Sequence, residues 1–213
     1  MQVNSKNLTD KWTDKLADQL VDRLVEALAT RGWWVCETFV EESLLSALLA
    51  DVTHNEQVQL QPASIGRGAI RQQNTDIRRD RTQWLGSTVP VQAAYLQIMD
   101  ALRTRFNREL FLGLQEFEAH YAEFAAGGFY ATHLDALKGS KNRIVSSVLY
   151  LNPGWEPGLG GELVLYSEQG EELACIPPKA NSAVFFLSEE FPHQVLPSLR
   201  PRYSIAGWYR VRA

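Results

Sequence analysis

The sequence predicts an α+β fold in which N-terminal helices support a C-terminal jelly-roll-like β core. Apolar residues of the first half recur every three or four positions, which is typical of amphipathic helices. After Gly113 the pattern changes to short β-type segments separated by turns that contain glycine and proline, at the spacing of a β-sandwich. We therefore predict a helical support over residues 1–112 and a jelly-roll over residues 113–213, joined in one compact domain.

Three helices, one strand and a long irregular segment are predicted in the first half. Gly32 terminates the first helix, as glycine commonly does. The segment between the second and third helices has no periodicity and is rich in arginine. Irregular loops of this length are usually functional or mobile, so we predict a mobile loop over about 54–84. The predicted helices are 8–31, 41–52 and 90–110, and the predicted strand is 33–40.

Seven strands are predicted in the second half. Each is bounded by a turn signal, such as the NPG run at 152–154. The predicted strands are 115–125, 129–135, 143–151, 161–166, 171–176, 183–187 and 202–211.

The charge balance and the cysteines exclude several classes of protein. With 21 basic and 25 acidic residues, the net charge of −4 argues against binding nucleic acid or anionic membranes by bulk charge. Cys36 and Cys175 are far apart without zinc-like spacing, which favours a reducing compartment. No apolar run approaches the roughly 20 residues of a membrane span. We expect a monomeric cytoplasmic protein with no membrane partner and no stable nucleic-acid partner.

Two histidines and an aspartate suggest a metal site. His133 and Asp135 are two positions apart, so on a strand both side chains point to the same face. The pair alone is a weak signal, because His54 and Glu56 have the same spacing. His193 follows another predicted strand, and two histidines with one carboxylate form the facial triad of non-haem Fe(II) oxygenases. Such a triad leaves coordination positions open for a chelating co-substrate and dioxygen.

A candidate anion site accompanies these residues. Arg202 begins the last predicted strand, and its guanidinium suits the distal carboxylate of a dicarboxylate such as 2-oxoglutarate. Ser204 and Ala206 share its face, and their small side chains leave room for a ligand. Tyr150 can bring a phenol to the same carboxylate, with core packing as its alternative role.

Six segments together resemble the prolyl-hydroxylase-domain branch of the 2-oxoglutarate and Fe(II)-dependent dioxygenases. This branch contains the prolyl hydroxylases of hypoxia-inducible factor and their bacterial relatives, and the resemblance implies a double-stranded β-helix (jelly-roll, cupin-like) catalytic core. The order and spacing of the segments make the resemblance specific. They are IRRDRTQWL (77–85), GGFYATHLD (127–135), RIVSSVLYLNPGW (143–155), GGELVLY (160–166), FPHQV (191–195) and RYSIAGWY (202–209).

The resemblance implies three groups of site residues. The residues that would hold the iron are His133, Asp135 and His193. Those that would bind 2-oxoglutarate are Arg202, Tyr150 and Ser204. The residues that would face the substrate proline or its peptide are Tyr130, Trp208 and Arg143. Arg78 and Asp80 would belong to the mobile loop that closes over that peptide.

Two positions depart from the family pattern. Many relatives have a tyrosine where this chain has Phe124, so a hydroxyl group near the inner carboxylate of the co-substrate or a metal-bound water is lost. Strict strand alternation also directs Tyr130 to the face opposite His133. Its substrate role therefore follows from the resemblance and calls for a bulge near Gly127 and Gly128.

The resemblance implies a peptidyl-prolyl hydroxylase that uses Fe(II), 2-oxoglutarate and O2, hydroxylates C4 of the ring, and releases succinate and CO2. Ascorbate is the expected reductant, and elongation factor Tu is a candidate protein substrate. Two alternatives stay open. One is the same oxygenase chemistry on a free amino acid, another side chain or a nucleobase. The other is a non-oxidative metal-binding module of the cupin type.

Overall fold

The computed structural model describes residues 15–63, 76–136 and 142–212, which form three helices and eleven strands. The helices are α1 (Lys15–Thr30), α2 (Glu42–His54) and α3 (Pro90–Leu110). The strands are β1 (Trp33–Cys36), β2 (Gln61–Pro62), β3 (Asp80–Trp84), β4 (Glu116–Phe124), β5 (Tyr130–His133), β6 (Arg143–Tyr150), β7 (Leu163–Tyr166), β8 (Glu172–Ile176), β9 (Ala183–Leu187), β10 (His193–Val195) and β11 (Arg202–Arg210).

The strands form two antiparallel sheets that pack face to face. The large sheet has the order β1-β9-β6-β11-β4-β3-β2, and the small sheet has the order β5-β10-β7-β8. Leu163 and Leu165 of the small sheet share one apolar cluster with Val184 and Phe186 of the large sheet. From β4 onward the chain passes repeatedly between the two sheets, as in a jelly-roll. The predicted α+β fold with a double-stranded β-helix core is confirmed.

Strand alternation gives the large sheet two different faces. Tyr121 of β4 and Ile205 of β11 belong to the core cluster that includes the helices. The alternate residues face the small sheet instead. Along this inner face, Ser204 of β11 pairs with Tyr150 of β6, and Trp208 pairs with Ser146. The candidate site residues of both strands therefore lie on one surface.

Three helices cover the outer face of the large sheet. Leu24 and Leu28 of α1 are buried, as the spacing of three and four predicts. α3 begins at Pro90, where a proline costs no hydrogen bond, and is followed by Phe111 in the left-handed conformation. The three predicted helices are confirmed, except that residues 8–14 lie outside the described ranges. Among the described helices, none is long and apolar enough to cross a membrane.

The N-terminal half also contributes strands to the large sheet, which corrects the prediction of an irregular segment. β1, which lies within the predicted strand 33–40, pairs with β9, and β3 pairs with β4. The described part of segment 54–84 contains β2 and β3 rather than irregular chain throughout. Because the DRTQW sequence of β3 lacks alternating apolar residues, its pattern did not predict a strand. Residues 64–75 of the predicted mobile loop lie outside the described ranges.

Candidate metal centre and co-substrate site

The two candidate histidines lie opposite each other on neighbouring strands of the small sheet. His133 ends β5 and His193 begins β10, and the two residues are direct pairing partners. The Nδ1 atom of His133 lies 2.8 Å from the carbonyl oxygen of Ala131, and Nδ1 of His193 lies 3.1 Å from that of Phe191. Each Nδ1–H donates to its carbonyl, which leaves both Nε2 atoms with a lone pair for a metal ion.

Asp135 lies between the two imidazoles. Its Oδ1 atom is 3.7 Å from Nε2 of His133, and its Oδ2 atom is 3.7 Å from Nε2 of His193. One ligand atom from each of the three residues lies within 4.8 Å of the other two. Two imidazole nitrogens and one carboxylate oxygen at this spacing fit a divalent iron with open positions.

The protonation states of these residues favour metal binding. Burial, reinforced by the neighbouring His193, lowers the pKa of His133 from 6.5 to about 3. Burial acts to raise the pKa of Asp135, but attraction to His193 and His133 and a hydrogen bond from Ser146 outweigh it and lower that pKa to about 2. At neutral pH, His133 is therefore neutral and Asp135 is ionised, which are the forms that bind metals.

Arg202 is a buried cation on the inner face of the large sheet. Its side chain is only 1% exposed. The Nε–H group donates to the carbonyl oxygen of Gly161 at 2.9 Å, and an Nη1–H donates to Oγ of Ser204 at 3.2 Å. Within the described ranges no acidic side chain forms an ion pair with it. Burial lowers its pKa, yet an arginine stays charged in proteins, so this guanidinium lacks a counter-charge.

Two aromatic rings enclose this guanidinium. The rings of Phe124 and Tyr150 lie 5.1 and 5.0 Å from its central carbon. The hydroxyl group of Tyr150 is buried and has no hydrogen-bond partner in the described part of the chain. Burial raises the pKa of Tyr150 to about 12, so the phenol keeps its proton and can donate it to an anion. Arg202, Ser204 and Tyr150, which the sequence grouped together, are thus adjacent in the structure.

Tyr130 lies against the first histidine, contrary to strict strand alternation. Its ring stacks on His133 with 3.6 Å between the centroids. The register between β5 and β10 shifts between these positions, because Tyr130 pairs with Val195 while His133 pairs with His193. Four residues of β5 (130–133) thus lie opposite three of β10 (193–195), which is a bulge. The expected bulge exists, but it lies within β5 rather than at Gly127 and Gly128.

Arg78 and Asp80 lie next to Tyr130. The guanidinium of Arg78 lies over the Tyr130 ring, with its central carbon 4.3 Å from the centroid. Its Nε and Nη2 groups donate to both carboxylate oxygens of Asp80, at 2.7 and 2.5 Å. Both partners of this ion pair are largely buried. Three of the five candidate substrate residues therefore form one group beside His133.

Arg143 and Trp208 form a second group. The guanidinium of Arg143 lies 3.7 Å from the indole centroid of Trp208, and its Nη2 group pairs with Glu118 at 2.9 Å. The indole N–H of Trp208 is buried and lacks a hydrogen-bond partner within the described ranges. Trp208 is the strand neighbour of Ser146, whose hydroxyl contacts Asp135, so this group lies on the Asp135 side of the cluster.

Sequence reasoning missed several contacts around these residues. Ser146 bonds to the Asp135 carboxylate and Ser188 bonds to Ser146, but isolated serines carry no distinctive sequence signal. Trp84 and His120 extend the aromatic surface of Trp208, with centroids 6.2 and 5.3 Å away. Their strand pairing could have been found only by recognising β3 as a strand.

A jelly-roll that combines two histidines and one carboxylate with a buried, unpaired arginine is typical of non-haem iron oxygenases that use a 2-oxo acid. Comparison with known proteins agrees with this class. Residues 119–210 match the 2OG-Fe(II) oxygenase superfamily. The chain is 39% identical to a prolyl-4-hydroxylase from Pseudomonas putida, whose crystal structure superposes with a TM-score of 0.82 over 91% of this chain and 100% of that one. The chain belongs to the 2OG-Fe(II) oxygenase superfamily.

Two animal proteins are also similar. A prolyl hydroxylase from Trichoplax adhaerens, solved with a fragment of the hypoxia inducible factor oxygen degradation domain, is 26% identical, with a TM-score of 0.81 over 94% of this chain and 95% of that one. Egl nine homolog 1 from Homo sapiens is 31% identical in an alignment of 144 residues that covers 63% of this chain. The match covers 33% of that relative, so the chain spans about a third of its length. The predicted resemblance to the prolyl-hydroxylase branch is confirmed.

Proposed function

We propose that this protein is an Fe(II)- and 2-oxoglutarate-dependent dioxygenase that hydroxylates a prolyl residue of a protein substrate. The observation that carries the proposal is Arg202, a buried guanidinium with no counter-charge in the described ranges, beside the unpaired hydroxyl of Tyr150. A buried charge without a partner costs several kcal/mol, so this site calls for an anionic ligand. The distal carboxylate of 2-oxoglutarate is such a ligand, and its 2-oxo acid end can chelate a metal.

Each polar residue of the site has a part in this proposal. His133, Asp135 and His193 would hold Fe(II). The iron would supply the oxygen chemistry that decarboxylates 2-oxoglutarate, giving succinate and CO2, and that hydroxylates the substrate in the same turnover. Arg202 binds the distal carboxylate, and Tyr150 and Ser204 donate further hydrogen bonds to it. The rings of Phe124 and Tyr150 exclude water from this ion pair, which strengthens it.

The substrate side of the proposal rests on two groups of residues. Tyr130, Arg78 and Asp80 lie on the His133 side, whereas Arg143 and Trp208 lie on the Asp135 side. The aromatic faces and guanidinium groups of these residues offer contacts to a proline ring and to peptide carbonyl groups. The similarity to prolyl hydroxylases from Pseudomonas putida and Trichoplax adhaerens supports a prolyl substrate.

Three finer parts of the proposal follow from the same resemblance: hydroxylation at C4, elongation factor Tu as the protein substrate, and ascorbate as the reductant. A cytoplasmic location, which the cysteine spacing favours, and a monomeric state complete the proposal.

Mass spectrometry of host-cell proteins tests the proposal. Soluble proteins are incubated with the enzyme, Fe(II), 2-oxoglutarate and ascorbate, and peptides are searched for one added oxygen on proline. The inactive comparison is His133→Ala, and the matched control is His54→Ala, which alters an exposed histidine outside the site. We expect a prolyl oxygen addition with the wild type and His54→Ala, and none with His133→Ala.

Succinate release separates the remaining outcomes. Succinate without any oxidised peptide would retain the oxygenase chemistry and contradict the prolyl substrate, in favour of a small molecule or another side chain. The absence of both succinate and oxidised peptide would contradict the proposal and favour a non-oxidative metal-binding module.

A further inference from the structure

Asp135 is the one proposed metal ligand that lies outside a strand. His133 and His193 are strand residues, and a backbone carbonyl accepts a hydrogen bond from each imidazole. Asp135 lies two residues beyond the end of β5, in a bend. The sequence argument that a strand directs Asp135 and His133 to one face therefore does not hold. Other contacts must fix the carboxylate, because a ligand of loose orientation binds a metal poorly.

Two buried serines supply these contacts. Ser146 of β6 donates its hydroxyl proton to Oδ2 of Asp135 at 2.7 Å. Oγ of Ser188 lies 2.9 Å from Oγ of Ser146. Both serines are at most 1% exposed. An ionised carboxylate can only accept hydrogen bonds, so the single hydroxyl proton of Ser146 is donated to Asp135. Ser188 must therefore donate its hydroxyl proton to Ser146. The direction of the chain is thus Ser188 to Ser146 to Asp135.

The backbone of Ser188 holds the same bend. Its N–H group donates to the carbonyl oxygen of Ile144 at 2.9 Å, and its carbonyl oxygen accepts from the N–H group of Ala136 at 3.4 Å. Ser188 thereby connects β6 to the residue that follows Asp135. The side chain and the main chain of one residue act on the position of the carboxylate together.

We propose that Ser146 and Ser188 form a hydroxyl clamp that orients Asp135 and restricts it to one metal-binding oxygen. The clamp rests on the metal site proposed above. Its two serines are positioning residues, since they act through Asp135. A hydrogen bond to Oδ2 lowers the electron density of that oxygen and leaves Oδ1 as the better ligand.

The coordination number shows why one oxygen matters. Two imidazoles and one carboxylate oxygen would use three of the six positions of an octahedral metal ion. A chelating 2-oxo acid would use two more, which would leave one position for dioxygen. If both oxygens of Asp135 bound the metal, that last position would be lost. The clamp therefore protects the position that the proposed reaction needs.

Cobalt(II) binding to the metal-free full-length protein tests the clamp. The absorption bands of Co(II) report coordination number, and titration gives the dissociation constant. The variants are Ser146→Ala and Ser188→Ala. The matched control is Ser147→Ala, because Ser147 is the next residue of β6, is 2% exposed, and contacts the carbonyl oxygen of Gly207 at 3.4 Å instead of Asp135. Thermal unfolding of each protein reports whether it is folded.

We expect Ser146→Ala to weaken Co(II) binding by about 10- to 100-fold and to change the absorption bands. Ser188→Ala removes one neutral hydrogen bond, worth about 1 kcal/mol, and should weaken binding about fivefold. Ser147→Ala should bind Co(II) within about twofold of the wild type, because it leaves Asp135 untouched.

Three results would overturn the clamp. A Ser146→Ala variant with wild-type affinity and bands would show that Asp135 is oriented without it. Equal weakening by Ser147→Ala would attribute the effect to general damage of β6. A wild-type protein that binds no Co(II) or Fe(II) would overturn the metal site and the clamp together, which distinguishes failure of the proposed function from failure of the clamp alone.

Discussion

The ring of Tyr130 stacks almost parallel on the imidazole of His133, with 16° between the two planes. Because the guanidinium of Arg78 also lies over this ring, with its central carbon 4.3 Å from the centroid, the three side chains form a stack that includes a proposed metal ligand. The stack links the segment before β3 to the metal site.

The stack predicts that the aromatic ring of Tyr130, rather than its hydroxyl, supports metal binding. Tyr130→Phe keeps the ring and should bind Co(II) within about twofold of the wild type. Tyr130→Ala should weaken binding about three- to tenfold, because an aromatic pair contributes about 0.5–1.5 kcal/mol. Titration of both variants with Co(II) measures this. Equal affinities for the alanine and phenylalanine variants would contradict the role of the stack.

Removal of Arg202 should impair 2-oxoglutarate binding without affecting the metal. A charge-assisted, bidentate contact to a buried carboxylate contributes roughly 3 kcal/mol, so Arg202→Ala should raise the KM for 2-oxoglutarate by about 100-fold or more. Tyr150→Phe removes one hydrogen bond and should raise it about fivefold. The measurement is succinate formation against 2-oxoglutarate concentration, with Co(II) affinity as the control. An unchanged KM in Arg202→Ala would remove this residue from the site.

The sequence predicted the jelly-roll and the grouping of the anion-site residues because these features depend on patterns within strands, whereas Asp135 lies beyond the end of β5, where strand alternation does not place it. β4, β6 and β11 have clear alternation, so the shared face of Arg202, Ser204 and Tyr150 could be foreseen. The position of Tyr130 could not, because a bulge reverses the alternation and one sequence does not reveal it. β3 was missed because a polar strand of the large sheet has no apolar period.

The ion pair between Arg78 and Asp80 predicts an asymmetric response to mutation. The Arg78 side chain is only 13% exposed. Asp80→Asn therefore leaves a largely buried charge without its partner and should destabilise the protein by about 3 kcal/mol. The double variant Arg78→Met/Asp80→Asn removes both charges and should recover part of this loss. Chemical denaturation of the three proteins measures the difference. A double variant that is less stable than Asp80→Asn would contradict the prediction.

His120 predicts a loss of stability at mildly acidic pH. Burial lowers the pKa of His120 from 6.5 to about 4. The charges of Arg78 and Arg143 lower this pKa further, whereas Asp80 and the backbone carbonyl of Tyr121 oppose the shift. Because this pKa is lower in the folded protein than in the unfolded chain, protonation favours unfolding. The contribution of neutral His120 is complete above pH 6.5 and is lost as the pH falls toward 4, by about 3 kcal/mol.

A variant without an imidazole isolates this effect. His120→Leu cannot titrate, so the free energy of unfolding of the metal-free wild type should fall relative to that of His120→Leu between pH 7 and pH 4.5. His133 titrates in the same direction but is present in both proteins, so it cancels in the comparison. Parallel stability curves for the two proteins over this range would contradict the lowered pKa.

We predict that a substitution at Gly207 lowers the stability of the protein without affecting the metal site. A Cβ atom added there would overlap Cζ of Phe117, on the helix-facing side of β11. Gly207→Ala should therefore destabilise the protein by about 1–3 kcal/mol through overpacking. The neighbouring Trp208 faces the opposite side, so Co(II) affinity should be unchanged. Phe117→Leu removes the ring that the new methyl group meets, and the double variant should be more stable than the sum of the two single effects predicts. Additive losses in denaturation experiments would show that the contact with Phe117 is not the cause.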